Sequence, residues 1–230
     1  MNKNYIHKIK SGVEPKTTVI ILAAGRNETR GEHCCKSLIN VSKHQKAIDH
    51  QIKNINEIFN SPDIIVVTGF DKESLNSYIF KKYPQVRIIE NDKYQETTSV
   101  ESLRLGLNGS VLSNVCMING NIKFNKQAIS FTPKQDASYL VVNPSTNKHK
   151  KLGVLHQDNK VIRISYGISD QWAEIMYVPQ KFFINLKFSI QKYKFYHSLF
   201  HVINDLIEND NINFEAYIDP KIKISQVNKK

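Results

Sequence analysis

Thr17-Thr-Val-Ile-Ile-Leu-Ala-Ala-Gly25 is the stretch on which the fold turns. Val19–Leu22 is β-branched and continuously apolar, the pattern of a strand buried on both faces in a parallel sheet. Gly25 ends the run, and Arg26, Arg30 and Cys35-Lys36-Ser37-Leu38 follow it. A buried strand, a glycine turn and a loop with spaced cations can cradle a triphosphate. Backbone N–H groups meet the anion, and Arg and Lys add the neutralising charge. The stretch therefore predicts phosphate chemistry at the end of a parallel sheet.

Working outward, apolar residues alternate between the two periods. Ile48, Ile52, Ile55 and Phe59 fall at helical spacing and predict a helix over roughly 46–60, ended by Ser61-Pro62. Asp63-Ile-Ile-Val-Val-Thr68 reads as a second buried strand closed by Gly69, and Val86–Ile89 as a third. Asp71 is placed to cap a short helix carrying Leu75, Tyr78 and Ile79. Thr98-Ser-Val-Glu101 has the capping-box pattern and predicts a helix near 99–107. Val115–Ile118 is a fourth strand, ending at Asn119-Gly120. Strands alternating with helices imply right-handed crossovers.

The second half reads differently. Tyr139–Val142, Leu152–His156, Val161–Ile164 and Ile175–Val178 are short strand candidates joined by turns. A helical region follows, best marked by Leu199, Val202, Ile203, Leu206 and Ile207, and Phe214–Ile218 is a last strand before Asp219-Pro220. The expected fold is a single α/β domain over 17–228, with a mostly parallel central sheet sandwiched by helices. A small acceptor-side β subregion runs from about 134 to 200, and residues 1–16 form a loosely held N-terminal extension.

The chain of 230 residues is 40% hydrophobic, enough for a globular core. Its formal charge of +11 suits nucleic acid or phosphorylated ligands, but the lysines are scattered and the longest basic tract is Lys148-His-Lys-Lys151. That scatter favours general lysine usage, so nucleic-acid binding is the weaker reading. Cys34, Cys35 and Cys116 make no even framework, which fits a reducing cytoplasm. Val19–Ala24 is too short an apolar run to span a membrane.

Ligands of open α/β sheets bind beyond the carboxyl ends of the strands. Gly25, Gly69, Gly120-Asn121 and Asp219 all stand at such ends. With these residues in view, the chain resembles the sugar-phosphate and phosphocholine type nucleotidyltransferases, whose fold is GT-A-like. Leu22-Ala-Ala-Gly25 resembles the family's opening signature, and Arg30 with Cys35-Lys36-Ser-Leu38 its Arg and its Pro-Lys-x-Leu. Asn91, Tyr94 and Thr98-Ser-Val-Glu-Ser-Leu103 resemble the cytidylyltransferase branch. Asn119-Gly-Asn-Ile-Lys-Phe124 is similar to the metal motif Gly-Asp-x-x-Phe, and Tyr217-Ile-Asp219 to the terminal Ile-Asp. Lys151-Leu-Gly-Val-Leu155 resembles the Gly-Val hairpin over the acceptor.

The resemblance implies an Mg²⁺-dependent transfer of a nucleoside monophosphate, CMP from CTP before the others, to a small phosphorylated acceptor. It assigns Lys36 to the α-phosphate and acceptor phosphate, and Arg26 or Arg30 to the β and γ groups. Leu22, Ala23, Ala24, Gly25 and Gly120 would line the nucleotide, and Glu101 and Ser102 would read the base. Asn121 and Asp219 would hold the metal, with Lys151, Tyr166 and Trp172 on the acceptor. For Tyr166 and Trp172 packing is the stronger reading, and for Thr98 and Glu101 a plain helix cap stands level with base contact. Two departures stand out. Asn27 and Glu28 replace a second loop glycine, and Asn121 stands where the family has a metal aspartate. Loss of that carboxylate would cost on the order of 10²–10⁴ in rate, so a nucleotide-binding protein with attenuated catalysis is the alternative.

Overall fold

The computed structural model describes residues 16–25, 35–131, 137–144, 152–193 and 197–227. Its elements in chain order begin with β1 (Thr17–Ala23), β2 (Asn40–Ser42), β3 (Gln45–Lys46), α1 (Ala47–Ile58), β4 (Asp63–Thr68), α2 (Lys72–Lys82) and β5 (Arg87–Glu90). Next come α3 (Ser99–Asn108), β6 (Asn114–Asn119), β7 (Ile122–Phe124), β8 (Ser138–Pro144), β9 (Leu152–Gln157) and β10 (Lys160–Tyr166). The chain continues through β11 (Asp170–Val178), α4 (Phe183–Lys192), α5 (Leu199–Glu208), β12 (Phe214–Tyr217) and β13 (Ile224–Gln226). Single 3₁₀ turns occur at Lys36–Leu38, Lys126–Ile129 and Gln180–Phe182. No described helix is long and apolar enough to cross a membrane.

Among the described residues, nine strands form one sheet in the order β5-β4-β1-β6-β11-β8-β12-β10-β9. The first four are parallel, with Ile20 opposite Ile65 on one side and Met117 on the other. From β6 onward the sheet is mixed: β11 runs antiparallel to both β6 and β8, and β12 returns parallel to β8. The parallel part thus ends at β6, and the strands of the second half extend the same sheet.

β1 is buried on both faces, as its composition predicts. Ile20 and Leu22 join a core with α3, α4 and α5, including Leu103, Leu186 and Ile203. Val19, Ile21 and Ala23 join the opposite core with α1 and α2, including Ile52 and Leu75. This two-sided burial is why the strand carries no polar alternation. α1 forms on Ile48, Ile52 and Ile55, and its first turn is closed by Asp49, whose Oδ2 accepts the Lys46 N–H at 3.0 Å.

Two expected caps differ in detail. Asp71 precedes α2 in the left-handed region (φ 52°) and makes no side-chain cap bond. At α3, Thr98 Oγ1 accepts the Val100 N–H, but Glu101 does not reach back to Thr98. Arg104 claims its carboxylate instead, through two hydrogen bonds of 2.7 and 2.6 Å.

Candidate active site

Five segments converge on a cavity of about 180 Å³ at the carboxyl rim of the parallel strands. The end of β1 contributes Leu22, Ala23, Ala24 and Gly25, and the 3₁₀ turn contributes Lys36 and Ser37. Asn91, Tyr94 and Thr97 come from the turn after β5. Thr98, Ser99 and Ser102 come from the start of α3, and Asn119, Gly120 and Asn121 from the end of β6. A parallel sheet delivers these segments to one edge because every strand in it ends there.

The packing at Gly120 locks β6 against β1. Its N–H donates to Leu22 O at 2.8 Å, and its carbonyl accepts the Ser37 hydroxyl at 3.2 Å. A Cβ at Gly120 would stand 2.8 Å from Leu22 O and 2.9 Å from Ser37 Oγ, so only glycine allows this approach. Gly25 is different: among the described residues nothing lies within 4 Å of where its Cβ would be.

Buried amides hold the rest of the rim. Asn91 donates to Thr97 Oγ1 at 3.2 Å and to Ser102 Oγ at 3.1 Å, tying the turn after β5 to α3. Gln51 of α1 donates to Asn119 O at 3.0 Å and to Ile122 O at 2.7 Å, clamping both ends of the β6–β7 turn. Asn54, one turn further on, donates to Phe124 O at 2.7 Å. Thr98 Oγ1 donates to His197 O at 2.5 Å, which brings the segment before α5 to the cavity wall. The α3 N-terminus at Ser99 adds the positive end of its dipole. Burial pushes the Cys35 thiol up, so it stands as a neutral packing group beneath Lys36.

Of the residues expected from the sequence, Leu22, Ala23, Ala24, Gly25, Lys36, Ser102, Gly120 and Asn121 line this cavity. Arg26, Arg30 and Lys151 lie outside the described residues. Four others are elsewhere. Glu101 is buried one position round the helix from Ser102, is engaged by Arg104, and does not line the cavity. Trp172 is 3% exposed within the core, its indole N–H donating to Ile175 O at 3.1 Å, so it offers no face to an acceptor. Tyr166 is exposed on β10 and packs edge-on against Phe200, away from the cavity lining. Asp219 accepts the Gln127 amide at 2.8 Å and the Lys221 N–H at 2.7 Å, and is not among the lining residues.

Sequence reasoning passed over Ser37, Asn119 and Gln51. Gln51 had a legible signal: it interrupts the spacing of an apolar helix face between Ile48 and Ile52, yet is fully buried.

The donor set for a divalent cation can be tested on one atom. Among the described residues Asn121 Oδ1 is buried without a hydrogen-bond partner, an unpaired lone pair of the hard-oxygen type that Mg²⁺ takes. Among the described residues no three His, Cys, Asp or Glu side chains gather as a ready-made metal site. The fit is therefore to a cation shared with a ligand's phosphates, which is the usual state of Mg²⁺.

No protein-family model matches the chain, and no curated protein matches it in sequence. Solved structures do match. The CTP:phosphocholine cytidylyltransferase of Streptococcus pneumoniae superposes with a TM-score of 0.72 at 20% identity, over 92% of this chain and 93% of that one. The fold here is the nucleotidyltransferase fold. The inositol-1-phosphate CTP transferase of T. maritima aligns with a TM-score of 0.73 at 15% identity, over 93% and 89%. UDP-glucose pyrophosphorylase from Acinetobacter baumanii aligns at 0.69 and 13%, over 92% and 88%. This nucleotidyltransferase-like architecture extends over nearly the full length of the partners.

Proposed function

We propose that this chain transfers a nucleoside monophosphate, CMP by preference, from a nucleoside triphosphate to a small phosphorylated acceptor. One observation carries the reading: Lys36, the β1 end and the α3 N-terminus share a single cavity on a nucleotidyltransferase fold. An acceptor phosphate oxygen attacks the α-phosphorus. A new P–O bond forms as the bond to the β-bridging oxygen breaks, and pyrophosphate leaves with that oxygen. Both reactants are anions, so the chain's task is in-line positioning and charge neutralisation rather than covalent catalysis.

Lys36 brings a compact ammonium with three donors to the α-phosphate. The N–H groups of Ala24 and Gly25 cradle the phosphates, and Arg26 or Arg30 neutralises the β and γ groups. Ser102, its hydroxyl fixed by the Asn91 amide, faces the base. A divalent cation, when bound, would neutralise the departing pyrophosphate, with Asn121 Oδ1 among its ligands. The preference for CTP is supported by the Thr98–Leu103 pattern and by two structural neighbours named for CTP transfer. Lys151, which precedes Leu152 in the sequence, would meet the acceptor's phosphate.

The test is thermal stabilisation by CTP, UTP, ATP and GTP, each with and without Mg²⁺, followed by pyrophosphate release with phosphocholine, inositol 1-phosphate and glucose 1-phosphate. The expected result is a CTP·Mg²⁺ shift, because a ligand of the native state raises the midpoint by mass action, and release with one acceptor. No shift with any nucleotide would overturn the reading. A shift without release would favour the attenuated binding protein that Asn121 suggests. In that case Asn121→Asp should raise turnover sharply.

A further inference from the structure

We propose that the edge of the sheet opposite the cavity docks on an anionic lipid bilayer, as a peripheral contact at the headgroup level. β11 runs antiparallel to β6, so Val178 at its end stands opposite Val115 near the start of β6. α4 therefore sets out from the amino edge of the parallel strands, away from the cavity rim. Two hydrogen bonds knit that edge together. The Gln180 N–H donates to Asn114 Oδ1 at 2.9 Å, and the Asn114 N–H donates to Lys16 O at 3.0 Å. The starts of α4, β6 and β1 thus share one border.

Large apolar side chains stand out from this border. Val111 and Leu112 are exposed in the connection from α3 to β6, and Ile184 and Phe188 on the outer face of α4. They are four of the nine large apolar side chains exposed among the described residues. Ile184 and Phe188 lie one helical turn apart, while Phe183, Leu186 and Ile190 turn into the core. α4 thus buries one apolar face and presents a second to solvent. Apolar residues exposed singly are ordinary, but a group of them on one border marks a surface that meets an apolar partner.

The surrounding charge selects that partner. Lys181 and Lys187 flank Ile184 on α4, and the exposed Lys16 leads into β1 at the same border. From Ile175 to Asn204 the sequence holds no Asp or Glu. Asp63, which opens β4 at this edge, is met by the Arg87 guanidinium through hydrogen bonds of 2.9 and 2.5 Å. Residues 1–15, which precede β1, carry Lys3, Lys8 and Lys10 against Glu14. Apolar groups ringed by lysines match a surface with anionic headgroups over hydrocarbon. The ammonium groups meet the headgroups, and Ile184 and Phe188 enter the acyl boundary. A second copy of the chain is a poorer match, because a two-fold interface would set the same lysines against one another. Docking by this edge leaves the cavity at the far rim, open to soluble ligands, and is independent of nucleotidyl transfer.

The experiment is co-flotation of the full chain with vesicles of phosphatidylcholine alone, or of phosphatidylcholine with about 30% phosphatidylglycerol. Sedimentation velocity without lipid is run in parallel. The chain should float with the anionic vesicles and not with the neutral ones. Salt at about 1 M, where the Debye length is about 3 Å, should weaken the binding. Ile184→Ser combined with Phe188→Ser should lower vesicle affinity about tenfold or more, with the thermal midpoint unmoved. Lys181→Gln combined with Lys187→Gln should lower it by about tenfold or more as well. Phe80→Ser is the control: Phe80 is 79% exposed on α2, with no other large apolar residue exposed on that helix, and its loss should leave binding unchanged. Absence of flotation, equal flotation with both vesicle types, or full binding by the Ile184→Ser, Phe188→Ser variant overturns the proposal. An equal loss in Phe80→Ser also overturns it, because general surface hydrophobicity would then be the cause. A dimer in sedimentation that Phe188→Ser dissociates would assign the border to a second copy and overturn the lipid assignment.

Discussion

The β5-β4-β1-β6 half and the β11-to-β9 half belong to one sheet but organise polar residues in opposite ways. In the parallel half, every strand ends at the same rim, so residues as far apart as Ala24, Asn91 and Asn119 line one cavity. In the mixed half, most neighbouring strands point opposite ways, and the chemistry-bearing residues scatter: Trp172 into the core, Tyr166 to the surface, Asp219 to a turn. Parallel topology thus gathers a site from distant sequence, whereas in an antiparallel region the neighbours across a strand decide what meets. Glu174 and Asn119 meet in that second way, at the seam where β6 pairs with β11.

The largest effect expected from this contrast is on stability. Trp172→Ala removes a side chain that is 3% exposed in the core, and should cost about 3–5 kcal/mol. Tyr166→Ala, at a residue 61% exposed, should cost about 0.5 kcal/mol or less. Chemical denaturation of both variants checks the difference. If Trp172→Ala instead unfolds like the unaltered protein but loses acceptor binding, the packing assignment fails.

In the parallel half the sharper effect is on rate. Lys36→Met keeps the aliphatic stem and removes the ammonium from the cavity. Turnover should fall about 10²–10³-fold, or about 3–4 kcal/mol, with the unfolding midpoint unmoved. Pyrophosphate release at saturating CTP measures it. A comparable loss of stability would mean that Lys36 is structural.

The parallel half was the more legible one. Val19–Leu22 declares itself because a strand covered on both faces cannot alternate, and Gly25, Lys36, Ser102, Gly120 and Asn121 could be placed once the strands were known to end together. Glu101 was misplaced because spacing alone cannot tell a capping acid from one held by an Arg at i+3. For Trp172 the packing reading is the one that holds, and the surroundings of Trp172 and Asp219 could not be read in detail because cross-strand neighbours in a mixed sheet depend on register and bulges, which leave little trace in sequence. Gln51 shows a related limit in a helix: its place on an apolar face signals a buried amide, but not that its partners are the carbonyls of Asn119 and Ile122.

Gln51 therefore gives a prediction of intermediate size. Gln51→Leu fills the same space with an apolar group but strands two buried carbonyls, and should cost about 2 kcal/mol. It should also loosen the Asn119–Asn121 turn, so the CTP-induced midpoint shift should shrink along with stability. Retention of the full shift in the destabilised variant would show that the clamp serves folding alone.

The smallest expected effect concerns pH and separates the frame of the parallel half from its site. Asp49 of α1 is buried, where desolvation alone would raise its pKa. Hydrogen bonds from the Lys46 N–H, Lys82, Tyr83 and Tyr78 outweigh that burial and hold the carboxyl below its ordinary value. A carboxyl depressed in the folded state contributes stability that is fully present above its unfolded pKa, near 4, and is lost as pH falls through the lower folded value. Asp49→Asn should therefore cost about 1–2 kcal/mol at pH 7, and the two proteins should converge in stability as pH drops below about 4. Urea denaturation between pH 3 and pH 7 checks this. A constant difference across the range would place the loss in packing rather than charge. None of these groups lines the cavity, so CTP binding at pH 7 should be the same in both proteins. Weaker binding in Asp49→Asn would mean that α1 transmits more to the β6 end than the Gln51 clamp alone conveys.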